Sequence, residues 1–160
     1  MEGLTLRLVQ IEDALALQLA CWPERTLNAV RVWLDSTISR QQRDLVWGLV
    51  AQVNAQIVAY GQVARWGRIA EISDLIVAEG YRCMGVGTQL IETLLAIARE
   101  QGLPEVEIGA AVANPRAAAL YRRLGFQDKR CSLLELGNGP EPVIYLSMRL
   151  ETADPVQSSG

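Results

Sequence analysis

The chain opens with Leu4, Leu6 and Leu8 alternating with Thr5 and Arg7, a period of two that predicts a first strand with one buried face. From Asp13 the spacing becomes helical, with Leu15 and Leu19, then Val30, Trp33, Leu34 and Ile38. Pro23 breaks the run into two helices. Leu45 to Val53 and Gln56 to Ala64 are β-rich runs on either side of Asn54-Ala55, and Ala70 to Val77 follows the Trp66-Gly67 turn signal. Three strands joined by tight turns predict an antiparallel meander. Thr88 to Gln101 places Leu90, Ile91, Leu94, Leu95 and Ala98 on one face and stops at Gly102 before Pro104, the pattern of an amphipathic helix. Glu105 to Ala110 reads as a strand, and Asn114 caps a helix that runs to Leu124 and ends at Gly125. Val143 to Leu150 is the last strand, with Gly137 to Pro142 as the loop before it.

A meander combined with strand-helix-strand units places the chain in the α/β (α+β) class. With 160 residues, half of them apolar, it has material for one hydrophobic core. A single domain is expected over residues 1–150. The small polar stretch at 151–160 is expected to be a disordered tail, because it buries too little area to offset the entropy of ordering.

Composition narrows the chemistry. Histidine is absent, which removes the Ser-His and Cys-His nucleophile pairs and the commonest metal ligand. Cys21, Cys83 and Cys131 show no CxxC spacing and cannot all pair within the chain, so neither a zinc site nor a disulfide framework is indicated. No metal is expected. A net charge of -3 argues against sequence-independent binding of nucleic acid, which depends on Lys and Arg neutralising phosphates. No apolar run reaches the roughly 18 residues of a membrane span, and Met1 to Arg7 lacks a signal-peptide pattern. A cytoplasmic protein with reduced thiols, and no nucleic-acid or membrane partner, is the expectation.

The chemistry concentrates where the third meander strand runs through Glu79-Gly80-Tyr81-Arg82-Cys83-Met84-Gly85-Val86-Gly87 into the helix that follows. The first N–H groups of a helix have no partner within it, and its dipole adds positive charge there, so the segment is suited to a phosphate. Gly85 and Gly87 let the backbone approach phosphate oxygens, and Arg82 offers a charge-assisted contact. The Lys-Ser or Lys-Thr of a P-loop is missing. Gly85-Val86-Gly87 followed by Glu107 on the next strand imitates a dinucleotide fingerprint, but Leu90 replaces its third glycine.

Arg82-x-x-Gly85-x-Gly87 after a strand resembles the acetyl-CoA signature of the GNAT superfamily of N-acetyltransferases. Asn114-Pro115-Arg116-Ala117-Ala118-Ala119-Leu120-Tyr121-Arg122-Arg123-Leu124-Gly125-Phe126 is similar to that family's second motif, and the order of elements agrees over about residues 4 to 150. The resemblance implies a mixed, mostly antiparallel sheet of about seven strands flanked by about four helices.

It further implies that the backbone of Leu75, Ile76 and Val77 pairs with the pantetheine arm. Arg82, Cys83, Met84, Gly85, Val86, Gly87 and Thr88 would hold the pyrophosphate, and Asn114 would contact the pantetheine or serve only as a helix cap. Tyr121 aligns with a tyrosine near the thioester sulfur, and Glu71 with the general base of some protein-lysine acetyltransferases. Other members carry a carboxylate where this chain has Ser73, and Asp74 matches an acid common beside the cofactor strand. The implied activity is direct transfer of acetyl from acetyl-CoA to a primary amine, on a small molecule or a protein, within a ternary complex. A homodimer is left open. Two alternatives stand beside it: a non-catalytic acyl-CoA sensor on the same fold, and an NAD(P)-dependent oxidoreductase.

Overall fold

The computed structural model describes residues 1–151. Seven strands and four α-helices follow the order β1 (Leu4–Leu8), α1 (Ala14–Cys21), α2 (Leu27–Gln42), β2 (Val46–Val53), β3 (Gln56–Trp66), β4 (Ile69–Val77), α3 (Val86–Glu100), β5 (Glu105–Ala111), α4 (Pro115–Arg123), β6 (Gln127–Glu135) and β7 (Pro140–Arg149). The strands form one sheet in the order β1-β2-β3-β4-β5-β7-β6. This matches the mixed, mostly antiparallel sheet of about seven strands with four helices. Of the expected tail at 151–160, all but Glu151 lies outside the described residues.

Two compact units make up the chain. The first takes residues 1–65 and 72–97. In it β1 pairs antiparallel with β2, and β2 with β3, through a hairpin turn at Asn54 (φ 51°) and Ala55 (φ 67°). Two consecutive positive φ values give the twist that matches the flanking strands. Thr26 caps α2 by accepting the Ala29 N–H at 3.1 Å. The core gathers Leu17 and Cys21 of α1 with Val30 and Leu34 of α2, and Val50, Ile57 and Tyr60 of the strands. Trp22 and Trp33 pack on the Tyr60 ring with centroids 5.6 and 5.2 Å away.

The helix expected around Leu15 and Leu19 is present, and the buried face expected of the first strand is corrected. Leu15 and Leu19 are 52% and 65% exposed, and α1 instead buries Ala14, Leu17 and Cys21. Its sequence ALALQLAC is apolar on nearly every side, so periodicity alone could not choose the face. In β1, Leu4 and Leu6 are only half-buried and Leu8 is 46% exposed, because the strand lies at the sheet edge and has one neighbour. The face of α3 is as expected: Leu90, Ile91, Leu94, Leu95 and Ala98 are all buried.

The second unit takes residues 66–71 and 98–151. β7 lies between β5 and β6 and pairs antiparallel with both. It starts at Pro140, so the expected loop at Gly137 to Pro142 is shorter than the sequence suggested. Pro140 and Pro142 are tolerated in this strand because they are in register with Glu135 and Leu133 of β6, while the β5 ladder begins only at Val143. There the missing N–H groups interrupt no second ladder. Asn114 caps α4, accepting the Ala117 N–H at 3.4 Å, and Gly125 follows the helix with φ 106°.

In this unit Glu107 is 5% exposed and carries a forked pair to Arg130 at 2.9 and 3.1 Å, plus Lys129 at 2.8 Å. The Arg130 hydrogen bonds, against the opposing effect of burial and with help from Lys129, hold its carboxyl below the usual value. A lowered folded pKa gives stability that is full above the unfolded value, about 4.3, and is lost as pH falls below it. Acid titration of unfolding stability is therefore expected to steepen below about pH 4.3, and the Glu107→Gln variant to lose that part of the slope.

Candidate functional site

In the first unit the site begins on β4 with the buried Ile72, and two residues on, Asp74, with a φ of 53°, kinks the strand. Beyond the kink Leu75 covers Gly61 of β3, Ile76 packs against the α1–α2 core and Val77 approaches Gly87. Ala78 N–H donates to Val58 O at 2.8 Å, and a 3₁₀ turn over Glu79–Tyr81 leads into the glycine loop.

The loop folds back on the strand it leaves. Arg82 Nε donates to Val77 O at 3.1 Å, and Cys83 and Gly85 take left-handed φ values of 62° and 85°. The first helical hydrogen bond of α3 runs from Gln89 N–H to Gly85 O at 3.1 Å. The amides of Val86, Gly87 and Thr88 come before it and form the positive end of the helix dipole. Val86 is buried and Met84 half exposed, so Val86 can offer a ligand only its backbone.

Gly85 is explained by its φ, but Gly87 is not. Its φ lies outside the left-handed range, and a Cβ there would meet only Val77 Cγ2, at 4.0 Å. Glycine in a helix costs about 1 kcal/mol relative to alanine. No contact within the unit offsets that cost; open space above the helix start does, if a ligand's oxygens come close to the backbone. The expected cofactor residues Leu75, Ile76 and Val77 thus lead through the loop to Arg82, Cys83, Met84, Gly85, Val86, Gly87 and Thr88, and Arg82 bonds back to Val77.

Asn114, Tyr121 and Glu71 belong to the second unit. Asn114 is exposed, with its side chain engaged in the cap of α4. Tyr121 is 8% exposed on the same helix, its ring 6.3 Å from that of Phe126. Burial raises its phenol above the usual value, so it keeps its proton at neutral pH. Glu71 is half-buried, and its charge acts on both Arg130 and Tyr145. The Arg130 guanidinium lies 4.4 Å over the Tyr145 ring. The acid that would bind a ribose in a dinucleotide site, Glu107, is already engaged by Arg130 and Lys129.

Some polar residues were not legible beforehand. Gln62, 7% exposed, lies within the apolar run of β3 and links Tyr60 to Ser73, and Arg130 and Tyr145 meet across β6 and β7. A glutamine in the middle of IVAYGQVA was the one available signal.

Four matches to known proteins bear on this arrangement. The chain is 38% identical over 61 residues to an uncharacterized N-acetyltransferase of Methanocaldococcus jannaschii, covering 38% of this chain and 27% of that protein. It is 31% identical over 77 residues to the thialysine N-epsilon-acetyltransferase of Bos taurus, covering 45% of each. The chain thus spans less than half the length of both relatives. Its fold matches that of a ribosomal L7/L12 alpha-N-protein acetyltransferase solved with coenzyme A, with a TM-score of 0.83 at 17% identity over 96% of this chain and 97% of that one. The model of the acetyltransferase (GNAT) family matches residues 9–126, a stretch that contains both the glycine loop and the Tyr121 helix. The chain belongs to the GNAT family of acetyltransferases.

Proposed function

We propose that the chain transfers the acetyl group of acetyl-CoA directly to a primary amine. The observation that carries this reading is the start of α3, where Gly87 leaves open space over unpaired helix amides that no packing within the unit requires. Phosphate oxygens supply the missing acceptors. The amides of Arg82 to Thr88 then hold the pyrophosphate, and the Arg82 guanidinium adds charge. The backbone of Leu75 to Val77 accepts the pantetheine arm as a further strand would be accepted.

Transfer needs an acid at the leaving sulfur and a route for the amine's proton. Tyr121, a phenol that carries its proton at neutral pH and more so for being buried, donates a hydrogen bond to the departing thiolate. A thiol of pKa about 8.5 is already a good leaving group. The Tyr121→Phe variant is therefore expected to lower kcat by about ten- to a hundredfold, without abolishing turnover and with little change in coenzyme A affinity. An alkylamine of pKa about 10.4 costs about 4–5 kcal/mol to deprotonate at pH 7. Glu71 is the proposed acceptor of that proton, directly or through water.

The acceptor is a small-molecule or protein amine, the two kinds named for the bovine relative and the ribosomal-protein enzyme. Free Cys21, Cys83 and Cys131 fit a reducing, cytosolic setting. No described helix is long and apolar enough to cross a membrane. The test is a melting-temperature series with coenzyme A, acetyl-CoA, NAD and NADP. Stabilisation by the two coenzyme A ligands alone is expected, and stabilisation by NAD alone would overturn the assignment.

A further inference from the structure

A chain of hydrogen bonds crosses the first unit from its core to its surface. Tyr60 is fully buried, and its O–H donates to Gln62 Oε1 at 2.9 Å. Gln62 Nε2 donates to Ser73 Oγ at 3.3 Å, and Ser73 Oγ donates to Asp74 Oδ2 at 3.3 Å. Direction follows from the chemistry. The amide of Gln62 has its acceptor toward Tyr60 and its donors toward Ser73, so the serine oxygen accepts a hydrogen bond from the glutamine and turns its own hydrogen toward Asp74. Each donation strengthens the next, and the chain ends on the exposed side chain of Asp74.

Two features set this chain apart from a chance surface contact. The first is strain. Among the described residues five non-glycine residues have positive φ, and four of them (Asp44, Asn54, Ala55 and Cys83) lie in turns, whereas Asp74 lies inside a strand. A left-handed L-residue costs roughly 1 kcal/mol that glycine would not, yet the position carries a carboxylate. The second is the room made for the buried end. A Cβ on Gly48 would stand 2.5 Å from the Tyr60 hydroxyl, so β2 gives up a side chain where the chain starts. The charges that act on Tyr60 are those of Asp74 and, from α2, Arg40.

We propose that Asp74 is the carboxylate that holds the ammonium of the incoming acceptor, and that Ser73, Gln62 and Tyr60 are positioning residues that aim it. This rests on the acetyltransferase reading, because Asp74 immediately precedes the Leu75–Val77 segment assigned to the acyl donor. It gives the site a preference for a cationic acceptor.

The experiment is a titration of the ¹⁵N-labelled, coenzyme A-bound protein with n-propylammonium chloride, and in parallel with n-propanol as a neutral molecule of similar size. Saturable shifts of the Ser73, Asp74 and Leu75 amides are expected with the cation and not with the alcohol. Asp74→Asn keeps a side chain that tolerates the left-handed backbone and is expected to weaken the cation about tenfold, the loss typical of one charge-assisted hydrogen bond. Ser73→Ala is expected to weaken it a few-fold on its own and to add nothing in the Asp74→Asn background, since it acts through the carboxylate.

Asp74→Gly, which relieves the strain, is expected to melt no lower than the parent and still to lose the cation. Equal responses to cation and alcohol, cation binding retained in both Asp74 variants, or a full additional Ser73→Ala loss in the Asp74→Asn background would each overturn the proposal. Coenzyme A binding is read from the same spectra. Its failure would remove the acetyltransferase reading, whereas its success without a cation response removes Asp74 alone.

Discussion

Replacing Gly87 with alanine is expected to weaken coenzyme A binding by about tenfold or more while leaving the melting temperature unchanged or higher. The two effects have separate causes. Within the protein the new methyl meets only Val77 Cγ2 at 4.0 Å, an ordinary contact, and the backbone there is not left-handed. Alanine also loses less entropy in a helix than glycine, by about 1 kcal/mol. A phosphate resting on the first turn of α3 would meet that methyl and be held off the amides, losing about one charge-assisted hydrogen bond, worth about 1.5–3 kcal/mol.

Gly85 is the control. At φ 85° an alanine there is strained whatever the space, so Gly85→Ala is expected to lower stability as well as binding. Calorimetric titration with coenzyme A and thermal melts on both variants separate the effects. If Gly87→Ala bound coenzyme A as tightly as the parent, the start of α3 would not be where the pyrophosphate lies.

The largest loss of stability is expected from Leu94→Ala, about 3–5 kcal/mol. Leu94 is fully buried on α3, and its Cδ1 lies 3.4 Å from where a Cβ of Gly61 would stand. Shortening it removes apolar burial and leaves a cavity that β3, fixed by its ladder to β2, can close only in part. Urea unfolding is expected to show a lower midpoint at unchanged m-value. Leu19→Ala on α1 is the counterpart. The residue is 65% exposed, so its loss is expected to change stability by no more than about 0.5 kcal/mol. A large effect at Leu19 would mean that the outward face of α1 is covered in solution.

The contrast between Leu94 and Leu19 shows where the sequence was readable. α3 alternates apolar and polar residues with a helical period, so its buried face could be named residue by residue. α1 is apolar almost all round, and only tertiary packing decides that Leu17 faces inward and Leu19 does not. The strand boundary at Pro140 was hidden for a related reason. Proline breaks most strands, and its acceptance here depends on β7 having a single ladder partner at that point.

The glycine loop was legible because its chemistry is local, with strand, glycines and helix start contiguous in the chain. The polar chain from Tyr60 to Asp74 was not, because its members come from two strands and its logic appears only once their side chains meet. Glu71 is an intermediate case. The sequence marked it as a carboxylate, but its electrostatic neighbours, Arg130 and Tyr145, come from β6 and β7.

The most direct measurement is thiol release from acetyl-CoA by the purified chain, with and without a panel of amines that includes thialysine, spermidine and peptides beginning with serine or alanine. Release that depends on at least one amine, and that falls without vanishing in Tyr121→Phe, is the expected result. Absence of coenzyme A binding, or a rate of release that no amine changes, would contradict acetyl transfer to an amine at this site.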